Sequence, residues 1–419
     1  MSVQRVSSKR EGALEQELRS LPERITGGDR ATWVDACVHL AVVDLGQTWE
    51  LRTRDNTIHV RRGPSRETPH VVLAGDSAAL TGLLRGEMAG IELIVDGRMT
   101  VRGSIDTAVT LEAMVRPDSG PLPTIDVQHV HVGKERVAVL SSGTGPDVVC
   151  IHGLGASRTS FLELGHRLAG SYRVHLVDLP GFGASSTPVR AAYDAPWFAD
   201  HVLGVMDQLR IDRAHLVGNS MGGRVAIEAG LRAPERVTAL GLLAPAVAFV
   251  RRGFHPLVRL ARPELGVLPH GIRRGIVEKQ LLSFFADPGA IDPALADAIV
   301  EEFRTRQRSP AARAALYSAA RRIYLEAPFG RDGFYPRLAQ LQVPAMFIWG
   351  SHDRLVPAAF ARHVTEWMPA AQQIVLDGCG HVPQVEHPEL TTELLDGFFA
   401  HADAARPMRR RRLRRVAAA

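Results

Sequence analysis

AHLVGNSMGGRVAIEAG, at residues 214–230, is the most informative part of this chain. It begins with an apolar run typical of a buried strand, breaks at a glycine-rich turn and resumes with helical spacing. In the pattern Gly-x-Ser-x-Gly the serine lies in a strained turn, and Gly218, Gly222 and Gly223 lack the Cβ atoms that would collide with nearby backbone. The stretch therefore predicts that Ser220 projects above a sheet edge as a nucleophile, beside the N–H groups of the following helix.

Two later turns supply the partners that such a serine needs. The apolar run 345–349 precedes GSHDRLVP, which carries Asp353, and the apolar run 373–376 precedes DGCGHVP, which carries His381. Each side chain follows a predicted strand, and the carboxyl ends of parallel strands meet at one edge of a sheet. The order serine, aspartate, histidine favours an arrangement in which His381 takes the serine proton and Asp353 orients the imidazole.

The motifs of this region resemble those of the α/β-hydrolase fold, specifically its serine hydrolases of the esterase and lipase type. They occur in the family's order, as HGLG (152–155), DLPGFGAS (178–185), GNSMGG (218–223), GSHDRLVP (350–357) and GCGH (378–381). The resemblance spans about residues 124–402. It implies an α/β architecture with a mostly parallel sheet, and the strands separated by helical patterns in this region agree with that class.

The resemblance also implies roles for individual residues. Ser220, Asp353 and His381 would be the catalytic residues, and the backbone N–H groups of Leu154 and Met221 would form the oxyanion hole. The strand pattern disappears at about residues 249–341, where amphipathic helical stretches stand in the place of the family's lid. We expect apolar side chains of this segment to line the substrate pocket.

The region before the hydrolase motifs has the pattern of a small α+β domain. The sequence predicts, in order, a helix at 31–44, strands at 48–55, 57–62 and 70–74, a helix at 76–87 capped by Asp76, a hairpin of strands 91–95 and 99–101, and a helix at 106–114. Its phrase LLRGEMAGIELIVDGRMTVRGSIDTAVTLEAMV resembles the sterol-carrier-protein-like lipid-binding domain. The resemblance implies an apolar cavity for sterols or fatty acyl chains, and a domain used only for packing or dimerisation is the alternative.

These features divide the chain into five parts. They are a polar N-terminal segment (1–29) with a weak helical signal at 14–21, the small domain (30–115), a stiff and exposed proline-rich linker (116–123), the hydrolase domain (124–402) and a basic tail (403–419).

Composition limits the classes of function. The 419 residues are 45% hydrophobic and 23% charged, as in a soluble globular protein, and no apolar run is long enough for a membrane span. The first residues are too polar for a signal peptide, so we expect a cytoplasmic protein. The net charge of +5 becomes −1 without the six arginines at 409–412, 414 and 415, so nothing in the body of the protein indicates nucleic-acid binding. The tail could contact anionic membranes weakly or remain a solvated segment, and the oligomeric state stays open.

Three functions remain open. The first is hydrolysis of a carboxylic ester of an apolar or lipid-like substrate through an acyl-enzyme. The second is carbon–carbon bond hydrolysis of the meta-cleavage type, although Val382 follows His381 where those hydrolases carry tryptophan. The third, from another class, is lipid binding or transfer by the small domain. Epoxide hydrolases and haloalkane dehalogenases carry aspartate at the position of Ser220 and are disfavoured. We expect no metal and no organic cofactor, since the three catalytic side chains supply both nucleophile and base.

Overall fold

The chain folds around two β-sheets, one in each domain. The computed structural model describes residues 2–25, 35–54, 57–117, 120–247, 262–266 and 272–405, with side chains from residue 11 onward. The smaller sheet has five strands in the order β3-β2-β1-β4-β5, and the larger has eight in the order β13-β12-β11-β10-β8-β9-β7-β6. The bounds of the thirteen strands are β1 Ala36–Val42, β2 Gln47–Arg54, β3 Thr57–Arg62, β4 Val71–Gly75, β5 Met99–Gly103, β6 Ile125–Val132, β7 Glu135–Ser142, β8 Asp147–Ile151, β9 Arg173–Val177, β10 Ala214–Asn219, β11 Val237–Leu243, β12 Ala345–Gly350 and β13 Gln372–Leu376.

Helices cover both faces of the large sheet. In the described ranges the α-helices are α1 Ser2–Ile25, α2 Ser77–Leu84, α3 Gly90–Val95, α4 Ile105–Val115, α5 Leu162–Leu168, α6 Ala195–Gln208, α7 Met221–Arg232, α8 Pro263–Gly266, α9 Arg274–Leu282, α10 Pro293–Arg306, α11 Pro310–Tyr324, α12 Phe334–Leu338, α13 Ala361–Trp367, α14 Pro383–Glu386 and α15 Pro388–Ala404. Short 3-10 helices lie at Val43–Leu45, Arg158–Phe161 and Ala358–Phe360.

The large sheet confirms the prediction of an α/β fold. All its neighbouring strands from β9 to β13 pair in parallel, and β6 and β7 add an antiparallel edge. The central strand β10 is buried along its whole length, as is β12. Because parallel strands align their carboxyl ends, the turns after β8, β10, β12 and β13 lie at one edge of this sheet.

The small domain confirms an α+β architecture, but its first strand was predicted wrongly as a helix. Residues 36–42 form β1, the central strand of the small sheet, while residues 31–34 of the predicted helix lie outside the described part. Both faces of β1 are buried, with Val38 and Leu40 on the side of the apolar core. A strand buried on both faces loses its polar alternation and cannot be told from a buried helix by periodicity.

The predicted hairpin at residues 91–101 is also wrong in its first half. Residues 90–95 form helix α3, whose N-terminus is held by Glu92 accepting a hydrogen bond from the N–H of Ala89. Gly97 has φ +67° and its N–H donates to Ile94 O. The Asp-Gly-Arg sequence therefore ends a helix, because a left-handed glycine serves a helix C-terminus as well as a hairpin turn. The predicted cap at Asp76 is confirmed by its hydrogen bond from Ala79 N.

The N-terminal segment belongs to the small domain instead of preceding it. Helix α1 buries Leu14, Leu18 and Leu21 in the same apolar core as the side chains of the small sheet. The predicted domain limit at residue 30 is therefore too late. The linker is also less exposed than predicted, since Arg116 is buried and pairs with Glu112 and with the carbonyl of Pro123. The basic tail lies outside the described residues from 406 onward.

The described part of the predicted lid segment is mostly helical, with turns between the helices. Helices α9, α10 and α11 occupy the three amphipathic stretches of the sequence, while residues 248–261 and 267–271 are not described. Side-chain caps begin the two longer helices: Asp292 accepts from Leu295 N and Ser309 accepts from Ala312 N.

The two domains share one apolar core and a buried ionic junction. The side chain of Arg158 is buried and pairs with Asp106 at the start of α4 and with Asp178 after β9, at 3.3 Å. The Arg158 N–H also donates to Asp178 at 2.7 Å. A cavity of about 40 Å³ remains between Ala89, Val109 and the hydrolase strands, which is room for a few water molecules and not for an acyl chain.

Glu302 of lid helix α10 joins this junction. Its carboxylate accepts a hydrogen bond from the N–H of Ile105 in the small domain, and its Oε2 is buried although the stem is partly exposed. Burial, followed by the nearby charges of Asp106 and Asp178, raises the pKa of Glu302 to about 7, against the opposing charge of Arg158. The lid is thus tied to the small domain through a carboxyl group that titrates near neutrality.

We expect this junction to make stability depend on pH. The folded pKa of Glu302 lies above its ordinary value of 4.5, so the folded state holds the proton more tightly and stability falls as pH rises from about 4.5 to 7. The loss is about 3 kcal/mol. In Glu302→Gln this loss should disappear, as measured by urea unfolding at pH 5 and pH 8. Glu301→Gln, which alters an ion pair with Arg304 on the same helix, should keep the wild-type dependence. An unchanged pH dependence in Glu302→Gln would contradict this account.

Among the described residues, no helix is both long enough and apolar enough to cross a lipid bilayer.

Candidate active site

Ser220 occupies the strained turn that the sequence predicts. Its backbone has φ +53° and ψ −115°, a conformation that non-glycine residues rarely adopt. A Cβ at Gly218 would lie 2.3 Å from Gly222 O, and a Cβ at Gly222 would lie 2.0 Å from Ile151 O. The glycines therefore let helix α7 pack directly on the strands beside it, and the strain at Ser220 is held by bonds of its N–H to Leu243 and of its C=O to Ala246.

Asp353 and His381 meet at the same edge of the sheet. His381 Nδ1 lies 2.7 Å from Asp353 Oδ2, and both side chains are buried. The other oxygen of Asp353 accepts from the N–H groups of Leu355 and Val356 at 2.7 and 2.8 Å. The carboxylate is therefore fixed on both oxygens, and one of them faces the imidazole.

Asn219 joins the serine turn to the histidine loop. Its Nδ2 donates to the carbonyl of His381 at 3.0 Å and to that of Leu243 at 3.1 Å. Since Asn219 directly precedes Ser220, these bonds set the distance between the nucleophile's turn and the loop that carries the imidazole. The structure thus brings the three predicted catalytic residues to one buried site.

The predicted oxyanion hole lies beside Ser220. An added Cβ at Gly153 would lie 3.4 Å from Ser220 Cβ, so the loop that continues to Leu154 runs against the serine. Met221 begins helix α7, and the first N–H groups of a helix have no acceptor within it. Two contacts of His152 fix the position of this loop. Its Nε2 accepts a hydrogen bond from Leu179 N, and its Nδ1 lies 2.7 Å from Gly153 O. His152 therefore has a structural role in this loop.

Tyr324 is a site residue that sequence reasoning missed. It lies at the end of lid helix α11, is buried, and places its hydroxyl 3.0 Å from Ser220 Oγ. Burial raises the pKa of Tyr324 to about 12, so the phenol keeps its proton and can donate to the serine oxygen. The sequence showed Tyr324 only as the last residue of an amphipathic helix.

Removing the Tyr324 hydroxyl should weaken catalysis without abolishing it. A buried neutral hydrogen bond contributes about 1 kcal/mol, so Tyr324→Phe should lower kcat/KM by about 5-fold. Steady-state kinetics on a p-nitrophenyl ester measures this. Tyr193→Phe is the matched control, because it removes another buried hydroxyl that donates to Pro188 O. Equal effects of the two substitutions would show that Tyr324 contributes only to stability.

Glu386 is a second residue that the sequence did not reveal. Its carboxylate accepts from the N–H groups of Gly380 at 2.9 Å and Val382 at 3.3 Å, on either side of His381. It also accepts from Ala286 N of the lid segment at 2.7 Å. The His381 N–H donates to Phe284 O at 2.6 Å, so the histidine loop and the lid are fastened together at both points.

Apolar lid side chains face this site. The ring of Phe284 lies 5.6 Å from that of His381. Phe303 of α10 and Leu316 of α11 lie over the loop at Gly155, 3.1 and 3.5 Å from where a Cβ would stand. Apolar side chains of the predicted lid segment therefore lie against the loops that carry His381 and Gly155.

Comparison with known families agrees with this architecture. The family model described as alpha/beta hydrolase fold matches residues 146–388, which is more than half of the chain. The chain belongs to the α/β-hydrolase family. The model of the SCP-2 sterol transfer family matches residues 14–116, so the resemblance of the small domain is confirmed as well. That match begins inside helix α1, in agreement with the packing of α1 on the small domain.

Relatives of known name include both an esterase and a carbon–carbon bond hydrolase. The chain is 30% identical over 262 residues to a pimeloyl-[acyl-carrier protein] methyl ester esterase of Aeromonas salmonicida (strain A449), covering 62% of this chain and 98% of the relative. It is 31% identical over 285 residues to a 2-hydroxymuconate semialdehyde hydrolase of Pseudomonas sp. (strain CF600), covering 65% and 96%.

Solved structures show the same mixture. A bacterial membrane phospholipase A is 28% identical, with a TM-score of 0.57, covering 67% of this chain and 87% of that structure. The 2-hydroxy-6-oxo-6-phenylhexa-2,4-dienoate hydrolase of Rhodococcus sp. strain RHA1 is 25% identical, with a TM-score of 0.56, covering 66% and 99%. The chain is thus a hydrolase by family, and these similarities do not separate ester cleavage from carbon–carbon bond cleavage.

Proposed function

We propose that the protein is a serine hydrolase that cleaves a carboxylic ester of an apolar or lipid-like substrate through an acyl-enzyme on Ser220. The observation that carries this proposal is the 2.7 Å contact between His381 Nδ1 and Asp353, at the sheet edge where Ser220 stands in a strained turn. This contact directs the other imidazole nitrogen away from Asp353, toward a proton that it can accept.

The proposed reaction has two halves. His381 Nε2 takes the proton of Ser220 as Oγ attacks the ester carbonyl, and Asp353 stabilises the imidazolium that forms. The N–H groups of Leu154 and Met221 stabilise the oxyanion, and loss of one such donor would raise the barrier by about 3 kcal/mol. His381 then returns the proton to the alcohol as it leaves. Water attacks the acyl-enzyme by the same route and restores Ser220.

Two observations support an ester of apolar character. Phe284, Phe303 and Leu316 give the lid an apolar inner surface. Relatives include a methyl ester esterase, and similar structures include a phospholipase A. Meta-cleavage hydrolysis is the second candidate, favoured by the relatives and structures of that type. Val382 in place of the tryptophan expected after the histidine disfavours it.

A substrate panel tests this choice. The wild-type protein is assayed with p-nitrophenyl esters from acetate to palmitate and, in parallel, with a meta-cleavage ring-fission product. We expect ester turnover with an optimum at medium or long acyl chains. Loss of the ring-fission chromophore without ester turnover would instead establish the carbon–carbon bond hydrolase.

We propose further that the small domain captures or presents the apolar substrate. The SCP-2 match and the shared apolar core of the two domains support this role. Glu302 and Arg158 connect the small domain to the lid and to the loop before α5, so a ligand in the small domain could influence both. A fluorescent fatty acid should bind full-length protein whose Ser220 is blocked by a phosphonate. Absence of such binding would leave a domain used for packing alone.

A further inference from the structure

Three chemically reactive side chains converge on the small sheet, away from the serine site. Cys37 and His39 lie on β1 and point to the same face, because side chains two residues apart share a face of a strand. The register of β1 and β2 pairs His39 directly with Glu50. The sulfur, an imidazole nitrogen and a carboxylate oxygen of these residues all lie within 4.8 Å of one another.

This cluster is buried, unlike most polar groups on the outer face of a sheet. Cys37, His39 and Glu50 are 1%, 7% and 6% exposed. The segment after β3 covers them: Ser65 N donates to Glu50 at 2.9 Å, and Cys37 N donates to His70 Nδ1 at 3.0 Å. Burying a thiol, an imidazole and a carboxylate together is unfavourable unless they satisfy one another or a ligand.

The three side chains satisfy one another only loosely. His39 Nε2 and Glu50 Oε2 are 3.4 Å apart, which is long for a hydrogen bond to a carboxylate. Two ligands of a tetrahedral zinc ion, each about 2.0 to 2.3 Å from the metal, stand about 3.3 to 3.8 Å apart. The observed spacing therefore suits two atoms that share a metal ion better than two atoms that share a proton.

We propose that Cys37, His39 and Glu50 bind a divalent transition-metal ion with the preferences of Zn²⁺. Thiolate, imidazole and carboxylate are all zinc ligands, and three protein ligands leave one position for a water molecule. On binding, the S–H bond of Cys37 breaks, the sulfur–metal bond forms and the proton passes to the solvent. The thiolate and the carboxylate together neutralise the charge of the ion.

The neighbouring arginines are compatible with such an ion. Arg61 and Arg52 approach Glu50 at 3.5 and 3.8 Å, and their side chains are 57% and 31% exposed, so solvent screens their charge.

This site would have no part in the chemistry of Ser220. It lies on the small sheet, on the face opposite Val38 and Leu40, and the serine reaction needs no metal. Its expected effect is to fasten the segment after β3 to β1 and β2. The metal-free form of the small domain should therefore be less stable than the metal-bound form, by an amount that depends on the free metal concentration.

Cobalt titration of the full-length protein tests the proposal. Co²⁺ replaces Zn²⁺ in such sites and gives a thiolate-to-metal charge-transfer band. We expect one Co²⁺ per chain, a band that Zn²⁺ abolishes by displacement, and a rise in unfolding temperature with either ion. Absence of the band in the folded wild-type protein would overturn the proposal.

Three variants identify the ligands. Cys37→Ser should lose the band and bind Zn²⁺ at least about 100-fold more weakly, since loss of an outer-shell partner alone costs about 10- to 100-fold. Glu50→Gln should keep the band and bind the metal more weakly. This variant tests the site even if Cys37→Ser does not fold. Cys150→Ala, at a buried thiol in β8, should bind Co²⁺ like the wild type. A band that survives in Cys37→Ser, or vanishes in Cys150→Ala, would contradict the assignment.

Discussion

Replacement of Ser220 by alanine is expected to lower kcat for ester hydrolysis by a factor of about 10⁶, because the serine, histidine and aspartate act as one unit. Without Oγ no acyl-enzyme forms, and only the oxyanion donors and substrate binding remain, which together give about 10³- to 10⁴-fold acceleration over water. The residual rate should therefore be measurable only at high enzyme concentration.

The measurement compares kcat of wild type and Ser220→Ala on the best p-nitrophenyl ester of the panel. Ser141→Ala is the matched control, because it removes another buried serine hydroxyl, in β7, which contacts His175 of β9. That variant should keep nearly all activity. If Ser220→Ala retained more than about 1% of the wild-type kcat, a loss of under 3 kcal/mol, Ser220 would not be the nucleophile.

Replacement of Asp353 by asparagine is expected to lower kcat by about 10⁴-fold while the fold persists. Asp353 Oδ1 accepts two backbone N–H groups, so the amide oxygen of an asparagine would take that side. Its NH₂ group would then face His381 Nδ1, where Oδ2 now lies at 2.7 Å. The imidazole would be forced to carry its proton on Nε2 and could no longer take the proton of Ser220.

The same assay tests Asp353→Asn, with Asp377→Asn as control. Asp377 is an exposed carboxylate in the neighbouring turn, where it accepts from Ser351 at 3.1 Å, and its replacement should change kcat less than twofold. A decrease of under tenfold in Asp353→Asn would show that another group orients His381.

The large sheet and the places of Ser220, Asp353 and His381 in it could be predicted because local signals determine them. The strands before Ser220, Asp353 and His381 are short runs that end at glycine-containing turns, and the carboxyl ends of parallel strands coincide in space. Ser220, Asp353 and His381 each follow a strand directly, so their meeting at one edge follows from the sheet. The collisions that a Cβ would meet at Gly218 and Gly222 also follow from the turn type.

The rest depends on contacts between distant parts of the chain. Tyr324 reaches Ser220 from the lid, and Glu386 holds the histidine loop through backbone N–H groups, and neither contact has a pattern in the sequence. The wrong prediction of a helix at β1 has a different cause, which lies in the local sequence pattern. Its outer face carries Cys37 and His39 under a covering segment, so the strand is buried on both sides and lacks the alternation that identifies a strand.

The central claim is that Ser220 forms a covalent acyl-enzyme. Mass spectrometry tests it directly on the wild-type protein mixed with excess p-nitrophenyl butyrate, quenched with acid within the first turnovers and digested. The account predicts that the peptide containing Ser220 gains the mass of one butyryl group and that Ser220→Ala shows no such adduct. Turnover without an adduct on this peptide, or an adduct on another residue, would contradict it.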